Sequence, residues 1–286
     1  MIVRESISNM SHIFANSQFT ANILANMGAE AESIRILIGG VDSDRFTKPN
    51  IDNIRLRSEL SLPSDGFLIM TACRLVPKKG LDFLLESIGT IKSFIPNAYL
   101  VIVGDGKERR KCEDIAVALG IADCTIFTGY VPHQRIHKYY WSCDLFVLAS
   151  RTCYNHRVGT RDVETMGRVL CEANAAGVPV IASRSGGIPS VVTHGFNGLL
   201  FEEGHRQDFL RQVWRLWMDK SLGQALVENG RRRAREQFDW SIILKEHEKT
   251  LRGAAEGNAL ATDHRSEAAA VESVLRFAGN AYLRSQ

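Results

Sequence analysis

Long apolar runs are missing from this sequence. None approaches the 18 or so residues that a membrane-crossing helix needs, and the longest, such as Ala98 to Val103, are strand-length. The N-terminus carries Arg4 and Glu5 but no apolar core of a secretory leader, so no signal peptide is expected. There is little excess of charge: 35 basic residues face 32 acidic ones, too even a balance to imply a nucleic-acid partner. With 7 prolines and 23 glycines, collagen-like and low-complexity chains are excluded. The six cysteines form no Cys-x-x-Cys pair, and no histidine stands at zinc-finger spacing beside two of them. They read as small apolar core residues in a reducing cytosol. A P-loop and internal repeats are absent. Gly104-x-Gly106 has Arg109 where a dinucleotide fingerprint needs its third glycine, and it follows a second strand rather than a first.

What is present is alternation. The apolar run from Phe67 to Ala72 has strand length, and Leu81, Leu84, Leu85, Ile88 and Ile91 then recur at helical spacing. Further strands are predicted at Tyr99 to Val103, Thr125 to Thr128, Asp144 to Leu148, Val178 to Ala182 and Leu199 to Phe201. Helices are predicted between them at Lys107 to Leu119, Gln134 to Trp141 and Gly167 to Ala176. Strands apolar on both faces, alternating with helices, imply a doubly wound parallel α/β sheet over residues 63–237. Residues 1–46 hold too little for a domain: two possible strands, Ile13 to Ala15 and Ile34 to Ile38, and a helix. Residues 47–62 read as a linker, and 253–286 as a loosely docked or disordered extension.

In such a sheet ligands bind beyond the carboxyl ends of the strands. The residues expected there are Arg74 and Lys79 after the first strand, and Gly104 to Gly106 after the second. Gly129, Tyr130 and Val131 follow the third, Ser150 and an arginine-bearing loop (Arg151, Arg157, Arg161) the fourth, and Ser183 to Gly187 the fifth. Any one of these positions is ordinary surface. Together on one rim they describe an anion site, with a diphosphate the obvious candidate. Glu164 lies just before a helix and Glu172 within it, with Thr165, Met166, Gly167, Arg168, Val169 and Leu170 between them. Backbone N–H groups of that stretch suit phosphate oxygens, and the two carboxylates suit sugar hydroxyls and a ribose diol. Against this stand an N-cap acid with a surface acid, and a metal site, although no histidine or third carboxylate is suitably spaced for metal.

The motifs combine into a known pattern. Gly40-Val41-Asp42 with Arg45-Phe46, Arg74 with Lys79, Val103 to Gly106, and Phe127-Thr-Gly129 belong to it. So do the paired glutamates, Ser185-Gly-Gly-Ile-Pro189 and Gly195-x-x-Gly198-Leu-Leu. From about Ser17 to Arg252 the chain resembles the C-terminal, donor-binding half of a family 4 (group 1) retaining glycosyltransferase of GT-B architecture. The resemblance implies a nucleotide-sugar donor, no metal or other cofactor, and transfer with retention. Arg74 and Lys79 would hold the diphosphate, Glu164 the donor sugar and Glu172 the ribose. Tyr130 and Val131 would meet the base through backbone groups.

Thr165 and Met166 depart from the family's usual glycine and aromatic residue, and Ser190 replaces a glutamate. The larger departure is the acceptor-binding N-terminal domain. Residues 1–46 resemble only its last strand, helix and crossing strand, so its glycine-rich loop and any catalytic histidine are not expected here. A terminal crossing helix at 238–252 would then leave Trp240, Ile242, Ile243 and Leu244 without a partner. The acceptor is undetermined, and a partner chain or longer parent would supply the missing half. A non-catalytic nucleotide-sugar-binding module, or a truncated fragment, is the alternative. A cytoplasmic location is expected. Arg231, Arg232, Arg233 and Arg235 before the terminal helix make membrane contact peripheral at most, at the inner face.

Overall fold

The computed structural model describes residues 6–7, 10–155 and 159–259. Arg4, Glu5, Arg157 and residues 260–286 of the expected extension lie outside the described residues. Six strands form the central sheet: β3 (Phe67–Ala72), β4 (Ala98–Val103), β5 (Thr125–Gly129), β6 (Leu145–Leu148), β9 (Val180–Ser183) and β10 (Leu199–Phe201). Their order is β10-β9-β6-β3-β4-β5, and every pairing is parallel. The chain builds outward from β3 through β4 to β5, then returns to lay β6 on the other side of β3. This is the doubly wound sheet expected, and its order reverses between β3 and β6.

Successive strand residues point to opposite faces, so a sheet covered on both sides needs apolar residues throughout. Leu68, Met70, Phe146 and Leu148 join one core with Leu170, Cys171 and Ala173 of α7 (Arg168–Ala176). Ile69, Leu100, Val147 and Phe201 join the other. There they pack with Leu84, Leu85 and Ile88 of α4 (Leu81–Lys92) and with Phe209 and Val213 of α9 (Arg206–Met218). β9 begins two residues later than its apolar run. Gly177 is left-handed (φ 73°) and the Val178 N–H returns 3.0 Å to the Ala173 carbonyl, so that residue still closes α7. All six cysteines are free, and Cys112, Cys124 and Cys171 are buried, in keeping with a core role. Burial pushes the thiols of Cys73 and Cys112 up to about 12 and about 11.

The N-terminal stretch pairs β1 (Ile13–Ala15) in parallel with β2 (Ile34–Ile36) around α1 (Gln18–Asn26), and α2 (Ser43–Phe46) follows. The terminal helix, α11 (Trp240–Ala259), is not bare as expected. The Trp240 ring lies against Gly40, the Trp240 backbone N–H donates 3.0 Å to the Val41 carbonyl, and His247 meets Phe14 at 4.3 Å between centroids. Ile243 is buried, and of the four named residues only Leu244 is exposed. The chain's own first segment covers this face. α11 also continues past Arg252, where an extension was expected. A short antiparallel hairpin, β7 (Cys153–Asn155) with β8 (Thr160–Asp162), forms in the loop after β6, where no element was expected.

Residues 47–62 do not run as a free linker. They contain α3 (Asn53–Glu59), packed against α6 (His133–Ser142), with Leu56 and Arg57 buried. The Arg57 guanidinium donates 2.9 Å to the Ser142 and Gly66 carbonyls and 2.8 Å to Asp144 Oδ2. Asp144 in turn accepts from the Leu68 N–H at 2.8 Å. The cluster ties the starts of β3 and β6 together. Arg57→Ala takes a donor from Asp144 and from three carbonyls, the third being Ser64 O at 3.2 Å, and is expected to destabilise the fold by about 2 kcal/mol. Urea unfolding measures this, and a loss below about 1 kcal/mol would show that the cluster carries little of the fold's stability.

Candidate functional site

The reversal between β3 and β6 leaves a crevice beyond their carboxyl ends, and two loops enter it. The first, Cys73–Gly80, leaves β3 and carries Arg74 and Lys79. Its course is fixed by backbone bonds from Cys73 N to Val103 O (3.0 Å) and Leu75 N to Asp105 O (2.9 Å). Gly104 N donates 2.9 Å to Gly129 O, so the loops after β3, β4 and β5 form one connected rim. The second loop leaves β6 at Ala149 and Ser150 and returns through Glu164 to α7.

These loops bring Lys79 and Glu164 into an ion pair, both side chains largely buried. Ser150 Oγ donates to the same Glu164 oxygen at 3.3 Å. Arg74 is exposed, and its side chain makes no hydrogen bond or ion pair among the described residues. One cation is therefore neutralised within the protein and one is open. α7 begins after Gly167, which is left-handed (φ 85°) and supplies no side-chain cap. The start of the helix thus faces the crevice without an acceptor from its own N-cap.

The segment between the glutamates divides. Thr165 is exposed, and its hydroxyl lies 3.3 Å from Asn16 Nδ2. Met166 and Leu170 send their side chains into the core, and Val169 packs partly against it. Leu170 N donates 2.9 Å to Gly167 O, so this expected phosphate donor is already engaged. Arg168 is exposed, 3.8 Å from Glu172. Tyr130 is 77% exposed, at the end of β5, while Val131 packs on the core. Gly106 lies against the Leu75 backbone and serves the loop's close packing.

Glu172 is only 3% exposed. Its Oε2 accepts from the Tyr140 hydroxyl at 2.8 Å, while Oε1 has His133 Nε2 at 3.7 Å and Arg168 Nε at 3.8 Å. Sequence reasoning missed Tyr140, His133 and Asn16 as neighbours of the site. No local signal carries them, since each depends on how separate elements pack. Among the described residues, no group of three or more His, Cys, Asp or Glu is placed to hold a metal ion.

The matching family model, "Glycosyl transferases group 1", covers residues 52–233, which contain the whole rim. The chain belongs to the group 1 glycosyl transferases. A GDP-mannose-dependent alpha-(1-6)-phosphatidylinositol monomannoside mannosyltransferase of Mycobacterium tuberculosis is 33% identical over 237 residues, 83% of this chain and 60% of that protein. A lipopolysaccharide core biosynthesis glycosyltransferase of Rhizobium meliloti is 28% identical over 82% of this chain and 62% of its own length. This chain thus spans about 60% of the length of such relatives. Among solved structures, Anabaena HepE in complex with UDP-glucose matches with a TM-score of 0.74 and 25% identity, over 85% of this chain and 64% of that one.

The glycines of Ser185-Gly-Gly-Ile-Pro189 have a steric reason. A Cβ on Gly187 would stand 1.7 Å from the Thr165 carbonyl oxygen and 2.7 Å from Ser17 Oγ. The same backbone donates from Gly187 N to Glu164 O at 2.8 Å. Gly187→Ala must push Glu164 and Thr165 out of place, and is expected to destabilise the fold by about 1–3 kcal/mol. Urea unfolding measures this. Gly89→Ala, where a Cβ meets nothing within 4 Å, is expected to cost no stability.

Proposed function

We propose that this chain is the donor-binding half of a sugar transferase. It takes a nucleoside-diphosphate sugar at the β3/β6 crevice and transfers the sugar to an acceptor with retention and without a metal. The observation that supports this best is the arrangement of an open Arg74, a Lys79–Glu164 pair and an uncapped helix start around one crevice. An arriving diphosphate attracts Lys79 away from Glu164. The released carboxylate then needs donors, and the hydroxyls of the donor sugar supply them. Glu172 accepts from the ribose diol.

As the bond from the anomeric carbon to the diphosphate oxygen breaks, negative charge grows on the leaving group. Arg74, Lys79 and the positive end of α7 stabilise that charge, the role a metal ion plays elsewhere. The acceptor is held by a segment of a longer parent or by a partner chain. The mannosyltransferase relatives and the UDP-glucose complex support a hexosyl donor in general and leave base and sugar to experiment.

Thermal melting against UDP-, GDP- and ADP-sugars is the direct test. One nucleotide class at a hundred times its dissociation constant is expected to stabilise the fold by about 2.7 kcal/mol, a shift of roughly 5–10 °C, with EDTA present or absent. Arg74→Ala and Lys79→Ala are expected to abolish most of the shift. In the assembled enzyme each is expected to lower kcat by roughly a hundredfold or more, and the anomeric configuration of the product, read by NMR, is expected to match the donor's. No shift with any class from a cooperatively folded chain overturns the reading. A shift without transfer after the acceptor half is supplied favours a binding module.

A further inference from the structure

The Glu172 carboxylate is held asymmetrically. Its Oε2 receives the hydroxyl of Tyr140, a fully buried residue on α6, at 2.8 Å. Among the described residues, its Oε1 has only nitrogen groups beyond hydrogen-bond range, His133 at 3.7 Å and Arg168 at 3.8 Å. Tyr140 is itself fixed by the rings of Phe46, at 5.5 Å, and Phe146, at 5.3 Å between centroids. Its oxygen also lies 3.3 Å from the Val169 carbonyl, a longer contact than the one to Glu172, so the single hydroxyl proton goes to the carboxylate. Burial, with the charge of Glu172 adding to it, holds this hydroxyl well above its usual pKa near 10, so it remains a donor.

We infer that Tyr140 is the positioning residue for ribose recognition: it occupies one oxygen of Glu172 and so presents the other, at a fixed angle, to a vicinal diol of the nucleotide. The inference rests on the proposed role of Glu172 and adds to it a residue from a different helix. A carboxylate free to rotate would meet a diol in several orientations and lose order on binding. A carboxylate held on one oxygen has lost that freedom before the ligand arrives. The site then distinguishes ribose from deoxyribose through a side chain that never touches the sugar.

The test compares affinity for a nucleoside diphosphate with that for its 2′,3′-dideoxy analogue, by titration calorimetry on the full chain. Each protein is held well below its own melting midpoint. Wild type is expected to prefer the ribonucleotide at least tenfold. Tyr140→Phe is expected to lose most of that preference while binding the dideoxy analogue as wild type does. A merely structural defect would weaken both ligands alike. Phe209→Leu, a comparable loss of packing in the core on the other face of the sheet, is expected to keep the preference.

Undiminished discrimination in Tyr140→Phe overturns the role of Tyr140 and leaves that of Glu172 standing. Equal loss in Phe209→Leu also overturns it. Absence of any preference in wild type overturns both. Should Tyr140→Phe not fold with a stranded carboxylate, Tyr140→Phe with Glu172→Gln takes its place. That pair is expected to discriminate no worse than Glu172→Gln alone, and an additional loss of discrimination overturns the inference.

Discussion

A parallel strand flanked by neighbours laid down in opposite directions leaves a crevice above its carboxyl end. Helices descending from either side diverge there, so neither covers it. In this chain that strand is β3, and the crevice opens toward β6. The candidate chemistry follows from this one constraint. Arg74 and Lys79 leave β3 directly into the gap, and Ser150 leaves β6 into it. Glu164 returns to the gap because α7 must start there to cover β6 and β9. Changing the strand order would keep every residue and remove their meeting point.

Close backbone approach then turns the rim into a rigid object. Gly104 passes the Cys73 carbonyl, and Gly187 passes the Thr165 carbonyl, at distances that leave no room for a Cβ. The glycines of the sequence motifs thus act as contact surfaces between loops more than as flexible joints. The Arg57–Asp144 cluster does comparable work at the opposite end of the same two strands, where it ties the start of β3 to the start of β6. The register that aligns their carboxyl ends is therefore held from both sides.

The sheet was legible because parallel strands covered on both faces must be apolar throughout, and such runs stand out in one dimension. The rim was legible because a residue that follows a strand has little choice of place. The remaining contacts depended on the packing of separate elements. Arg57 looks like a solvated linker residue until Asp144, 87 positions away, is seen beside it. Tyr140 looks like one aromatic among several in α6 until that helix packs on α7 and brings its hydroxyl to Glu172, 32 positions away. The N–H of Leu170 was not legible for a local reason: the tight start of the helix turns it back to the Gly167 carbonyl. The exposed face expected on α11 failed for a tertiary one, since residues of the first segment pack against it.

The pairing of Lys79 with Glu164 gives the crevice a particular charge logic. Two largely buried opposite charges in contact are tolerable together, and either one left alone is costly. A diphosphate that takes Lys79 without offering anything to Glu164 would leave a buried carboxylate with its charge unpaired and the Ser150 hydroxyl, at 3.3 Å, as its remaining side-chain donor among the described residues. On the proposed reading, only a ligand with hydroxyl donors beyond the diphosphate compensates both partners at once. A complete sugar donor does so, and the nucleotide remaining after transfer does not. The same pair that closes the empty site would then favour the substrate over the product, because Glu164 regains Lys79 as the sugar leaves.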